Sequence, residues 1–103
     1  MAIVEVSIVP IGVTGTSLSR YVAETVKVLQ GTALDYQVTA MGTIISGDLE
    51  TIWKALQQMH ESCFEQGAVR VLTQIKIDDR RDRVASPEQK VHAVMEKLPH
   101  GKE

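Results

Sequence analysis

Aromatic residues are scarce in this sequence: one Trp, one Phe and two Tyr among 103 residues. The core must therefore be built from Val, Ile, Leu, Ala and Met. A single cysteine, Cys63, excludes an intramolecular disulfide and an all-cysteine metal site. No apolar run approaches the roughly 20 residues that span a bilayer, so no membrane segment is expected. Positive charge is not in excess: 11 Lys and Arg stand against 13 Asp and Glu, giving a net charge of −2 and a pI near 5.9. That balance argues against a general nucleic-acid binder, whose affinity rests on neutralising phosphates. The opening MAIVEVSIVP has no basic segment and carries Glu5, unlike a secretory signal, so a cytoplasmic protein is the expectation. GxSxG, Walker A, HExxH and CxxC patterns are all missing, and no catalysis is indicated.

The remaining composition, 44% apolar and 23% charged, is that of an ordinary globular domain. At 11.3 kDa the chain has room for one core, so residues 1–103 are read as a single domain. Ala2 to Pro10 is rich in β-branched residues and reads as a strand with Val4, Val6 and Ile8 on its apolar face. Pro10 has no N–H to continue a ladder. Leu18, Tyr21, Val22, Thr25, Val26 and Leu29 recur at helical spacing, behind Thr16, Ser17 and Ser19 as capping residues and ahead of Gly31 as a stop. Leu34 to Thr39 and Thr43 to Ser46 form a hairpin around Ala40-Met41-Gly42, with Gly42 expected at positive φ. Leu34, Tyr36 and Val38 are expected to face the helices.

Asp48 is a natural cap for a second helix, Leu49 to Gln66, with the stripe Leu49, Ile52, Trp53, Leu56, Met59, Cys63 and Phe64. A fourth strand is predicted over Val69 to Asp78. Ser86-Pro87-Glu88 opens a last helix with the stripe Val91, Val94, Met95 and Leu98. This order, β-α-β-β-α-β plus a helix, predicts an α+β ferredoxin-like sandwich with an antiparallel sheet in strand order 4-1-3-2. The sheet face away from the helices mixes Glu5, Ser7, Gln37, Thr39, Gln74 and Lys76 with Ile3, Val9 and Leu72. Such a face calls for a cover, either a second subunit or the last helix.

Few residues suggest chemistry on their own. His60 is expected to make a structural hydrogen bond, and Cys63 to be an inert buried thiol. A Cys63–His60 pair is conceivable from the three-residue spacing, but no third member activates it. The run Asp78-Asp79-Arg80-Arg81-Asp82-Arg83 holds three carboxylates beside three guanidiniums, which favours an ion-pair network over a metal site. No metal and no cofactor are expected. Pro10 to Ser17 leads from a strand end into a helix start, where free N–H groups favour an anion, and Thr16 and Ser17 are the candidates there.

Taken together, Pro10-Ile11-Gly12, Thr16-Ser17-Leu18-Ser19-Arg20-Tyr21-Val22, Met41-Gly42-Thr43 with Gly47, Ile77-Asp78-Asp79-Arg80-Arg81-Asp82 and Lys90-Val91 resemble the thiamine-binding, YkoF-like family of small proteins. The resemblance spans about residues 2 to 98. It implies a ferredoxin-like sandwich pairing through its sheets, often as a dimer of dimers, and binding of thiamine or its hydroxymethylpyrimidine moiety without turnover, with a link to thiamine salvage or transport. Many relatives carry an acid just before the glycine matching Gly47; this chain has Ser46.

Thiamine joins a thiazolium cation to an aminopyrimidine. The ring needs donors, acceptors and a flat apolar wall, and the cation needs a carboxylate or an aromatic face. Ser7, Met41, Gly42 and Thr43 are the leading candidates for the ring. Gln37 is a further candidate for it, and Glu5 and Asp78 could balance the cation. The competing expectation is a structural or regulatory oligomeric protein with no thiamine ligand, whose sheet face and charged run make only subunit contacts.

Overall fold

The computed structural model describes residues 1–13, 18–82 and 86–98. Its elements run β1 (Ala2–Pro10), α1 (Ser19–Gln30), β2 (Asp35–Thr39), β3 (Gly42–Gly47), α2 (Leu49–Glu65), β4 (Val71–Asp79) and α3 (Pro87–Met95). The four strands form one sheet in the order β2-β3-β1-β4, and every neighbouring pair is antiparallel. This is the expected order read from the other edge, and the architecture is the α+β ferredoxin-like sandwich.

The register sorts the residues into two faces. Val4 pairs with Ile45 and Ile77, and Val6 with Thr43 and Ile75. Alternation of side chains puts these on one face, which the helices cover over β1 and β3, while Ile75 and Ile77 on the edge strand β4 stay exposed. Val4, Val6, Ile45, Leu29, Ile52 and Met59 are almost fully buried there and form the main core with Leu34, Ala55 and Leu56. Each large apolar side chain so buried contributes about 1.5–3 kcal/mol. A smaller cluster of Tyr21, Cys63 and Ala68 packs beneath the start of α1 against Ile8 and Val71.

Local chemistry sets the helix ends. The Asp48 carboxylate accepts from the Thr51 amide at 3.0 Å, as its position before Leu49 suggested. Ser86 and Gln89 form a reciprocal capping box with Pro87 in the first turn of α3. At α1 the expectation fails: Leu18 occupies the capping position and supplies no side-chain bond. Thr16 and Ser17 lie outside the described residues.

Gly42 does not take positive φ; Gly12, Gly47 and Gly67 do. What requires glycine at position 42 is room, since a Cβ there would lie 2.8 Å from the Val6 carbonyl oxygen. The two strands approach too closely for a side chain. The fourth strand begins at Val71, and Val69 stands exposed in the loop before it, while Ala68 takes the buried place.

Two expected stripes are narrower than the periodicity implied. Trp53 and Phe64 lie on the shoulder of α2 and remain exposed, while Ala55 and Ser62 are buried. Leu18 and Val22 are exposed on α1, where Tyr21, Thr25 and Leu29 are buried. Tyr36 and Val38 do lie on the helix side of the sheet, but α1 leaves them uncovered, at 39% and 52% exposure. The last helix does not cover the open face. α3 buries no residue, and its stripe Val91, Val94, Met95 and Leu98 is exposed.

Candidate functional site

Leu18, Val22 and Val38 are among the apolar residues that the core leaves out, and they meet at one place. A cleft of about 190 Å³ opens between the first turns of α1, the end of β1 and the β2–β3 hairpin. Val6 and Ile8 wall it from β1, Leu18, Val22 and Thr25 from α1, and Met59 closes its depth from α2. The hairpin contributes residues 38 to 43. The hairpin tip is held locally: the Thr39 hydroxyl donates to the Gly42 carbonyl at 2.7 Å and accepts from the Met41 amide at 3.3 Å. That bond pair presents Met41, which is 84% exposed, at the rim.

The walls are apolar, with hydroxyls set into them. Thr25 is committed to its own helix, donating to the Val22 carbonyl at 2.7 Å. Thr43 is different. The residue is 6% exposed, and among the described residues no hydrogen bond reaches its hydroxyl, whose oxygen is open to the cleft rather than sealed in the core. A hydroxyl that faces a cleft and has no partner among the described residues is a ready position for a ligand's donor or acceptor. Its register partners Val6 and Val38 confirm that it faces the helices and the cleft.

Four of the predicted ligand residues, Ser7, Met41, Gly42 and Thr43, border this single cleft. Ser7 does so from the neighbouring strand, and its partner Gln74 places its side chain on the open-face side of the sheet. The other three are elsewhere. Gln37 pairs with Ile44 on the open face. Glu5 lies opposite Lys76 there, with 3.9 Å between the charged atoms. Asp78, at the far end of β4, is ion-paired with Lys90 of α3. The residues that sequence reasoning missed are Leu18, Val22, Val38 and Met59, each assigned to the core by its spacing. The available signal was that the α1 stripe is too broad for one seam.

The charged run is occupied with itself. Arg80 grips Asp82 through two bonds of 2.6 and 3.0 Å, and Arg81 grips Asp79 at 2.7 and 3.0 Å. The Arg81 guanidinium holds the Asp79 carboxyl below the usual carboxylate range. Among the described residues no group of three or more His, Cys, Asp and Glu could hold a metal ion. His60 Nδ1 lies 2.7 Å from the Thr73 hydroxyl and packs edge-on to Phe64, which is the structural role expected of it. Cys63 is buried, and burial pushes its thiol pKa up, away from the reactive thiolate. No described helix is long and apolar enough to cross a membrane.

The family model described as thiamine-binding protein matches residues 4–95. The chain belongs to the thiamine-binding protein family. Its curated relatives include a UPF0045 protein of Staphylococcus xylosus, 44% identical with 98% of each chain covered. The UPF0045 protein YqgV of Bacillus subtilis is 42% identical over 95% of this chain and 98% of its own. Among solved structures, the hypothetical protein MJ1052 from Methanocaldococcus jannaschii superposes with a TM-score of 0.83 at 37% identity, covering 92% of this chain and 96% of that one. The cleft thus lies in a member of a family named for binding thiamine, and residues 6 to 59, which line it, all fall within the matched segment.

Proposed function

We propose that this protein is a non-catalytic binding protein for thiamine or its hydroxymethylpyrimidine moiety, acting in thiamine salvage or transport, and that the cleft at the hairpin is its site. The observation that carries this reading is the Thr43 hydroxyl, set in an apolar cleft wall with no hydrogen-bond partner among the described residues. An aminopyrimidine supplies what that hydroxyl lacks: ring nitrogens that accept and an amino group that donates, on a flat body suited to Val6, Val38 and Met59. The Met41 side chain, exposed at the rim, can close over the ring.

Thr43→Val tests the reading, because it keeps the side chain's shape and removes only the oxygen. Removing a cleft-facing hydroxyl that no described residue bonds leaves no group of the fold unpaired, so the change is near neutral or stabilising to the fold. The expected outcome is an unchanged or raised melting temperature with ligand affinity lowered by about tenfold, as calorimetric titration would read it. Retained affinity in the variant would place the ligand elsewhere.

A second reading, an oligomeric structural or regulatory protein without this ligand, is favoured by one observation: the exposed apolar stripe of α3 and the exposed Leu72 and Val9 of the open face. The two readings are compatible in one respect. Exposed apolar surface of this kind supports a homo-oligomer whichever ligand is bound.

A further inference from the structure

Resting on that reading of the cleft, we infer that the site takes a neutral ring, so that this chain binds free hydroxymethylpyrimidine in preference to thiamine, whose thiazolium carries a permanent positive charge. Among the described residues, those that line the cleft include no Asp, Glu, Lys, Arg or His, and no aromatic side chain. A cation entering it would lose water and meet neither a carboxylate nor a π-face. The sequence around the cleft offers no remedy nearby. From Val6 to Ser19 and from Tyr36 to Gly47 no residue is charged.

The candidate carboxylates face other groups. Glu5 approaches Gly42 only from the open face of the sheet, where it lies opposite Lys76. Asp78 is paired with Lys90, and Glu24 of α1 is paired with Lys27 at 2.8 Å. The charge that does stand at this end of α1 has the wrong sign. The first turn contains no acidic residue, and Arg20 is placed there, over the Tyr21 ring at 5.3 Å. The partial positive charge of a helix N-terminus adds to it.

Size points the same way. Clefts for drug-sized ligands enclose about 300–1,000 Å³. The 190 Å³ here suits one substituted ring rather than two joined rings.

The test is calorimetric titration of the full chain with hydroxymethylpyrimidine and, separately, with thiamine, repeated on Val38→Glu. Val38 is 52% exposed on the cleft wall, so a carboxylate there stays partly hydrated. The expected result is saturable binding of the pyrimidine, with thiamine weaker by about tenfold or more. In Val38→Glu that gap narrows through a gain for thiamine that added salt reduces. Thiamine binding as tightly as the pyrimidine, or more tightly, overturns the inference and leaves the proposed function standing. Silence from both ligands with a cooperatively folding protein overturns the proposed function and this inference with it.

Discussion

The two faces of the sheet are drawn from alternate residues of the same strands, yet they have become different materials. On one, Val4, Val6 and Ile45 are sealed beneath α1 and α2. On the other, Glu5, Gln37, Gln74 and Lys76 stand among the exposed Val9 and Leu72. A slip of one residue in any strand would exchange the sets, so the burial of one face is what holds the register of both. The cleft belongs to the covered face, at the corner where the cover is incomplete. The charges belong to the open face. This division explains why the candidate ligand residues split as they do: Met41, Gly42 and Thr43 at the cleft, and Glu5, Gln37 and Asp78 away from it.

The largest expected break in the comparison is Ile45→Ala, which should cost about 2–5 kcal/mol in chemical denaturation, because the cavity it opens is lined by side chains that cannot relax into it. Leu72→Ala, on the open face, should cost under about 0.5 kcal/mol to the isolated chain. Similar losses for the two would mean that the open face is covered in solution as firmly as the other.

Sedimentation addresses that cover directly. A homo-oligomer is expected for the native chain, and Leu72→Glu should shift it toward monomer while leaving the far-ultraviolet circular dichroism intact. A native chain that sediments as a monomer at micromolar concentration would remove the oligomer from the proposal.

The smallest effect concerns how the covering helix is pinned. Asp48 has its pKa lowered by the bonds it accepts from Thr51, and Asp79 by Arg81. A carboxyl whose folded pKa is depressed contributes stability above its unfolded pKa and loses it as pH falls through the folded one. Stability should therefore be level through neutral pH and decline below about pH 4. Asp48→Asn keeps a capping side chain and removes the titration, so its acid decline should be shallower in melts recorded at falling pH. An unchanged slope would assign the decline to other carboxyls.

Element order, strand alternation and two of the three helix caps were legible in the chain. Asp48 before Leu49 and Ser86 before Pro87 act within one turn of backbone, and such interactions need no knowledge of the rest of the molecule. Where longer reach was involved, the reading weakened. Gly42 looked like a turn glycine, but the reason for it is a neighbouring strand that is distant in sequence. Trp53 and Phe64 matched the helical period and still ended on its shoulder. At the site, Thr43, Met41 and Gly42 were found from the family pattern and the hairpin chemistry, while Leu18, Val22 and Met59 passed as core.

Periodicity by itself determined which side of each element is apolar, because a two-residue or 3.6-residue repeat can bury only one face, and the order of the elements pointed to the sandwich and its strand order. It does not say whether another element arrives to cover that face. Only the tertiary structure decided that a cleft stays open between α1 and the hairpin, lined by Val22, Val38 and Thr43. The gap depends on how two helices and a sheet close against one another over their whole length, and no residue's neighbours in sequence carry that information.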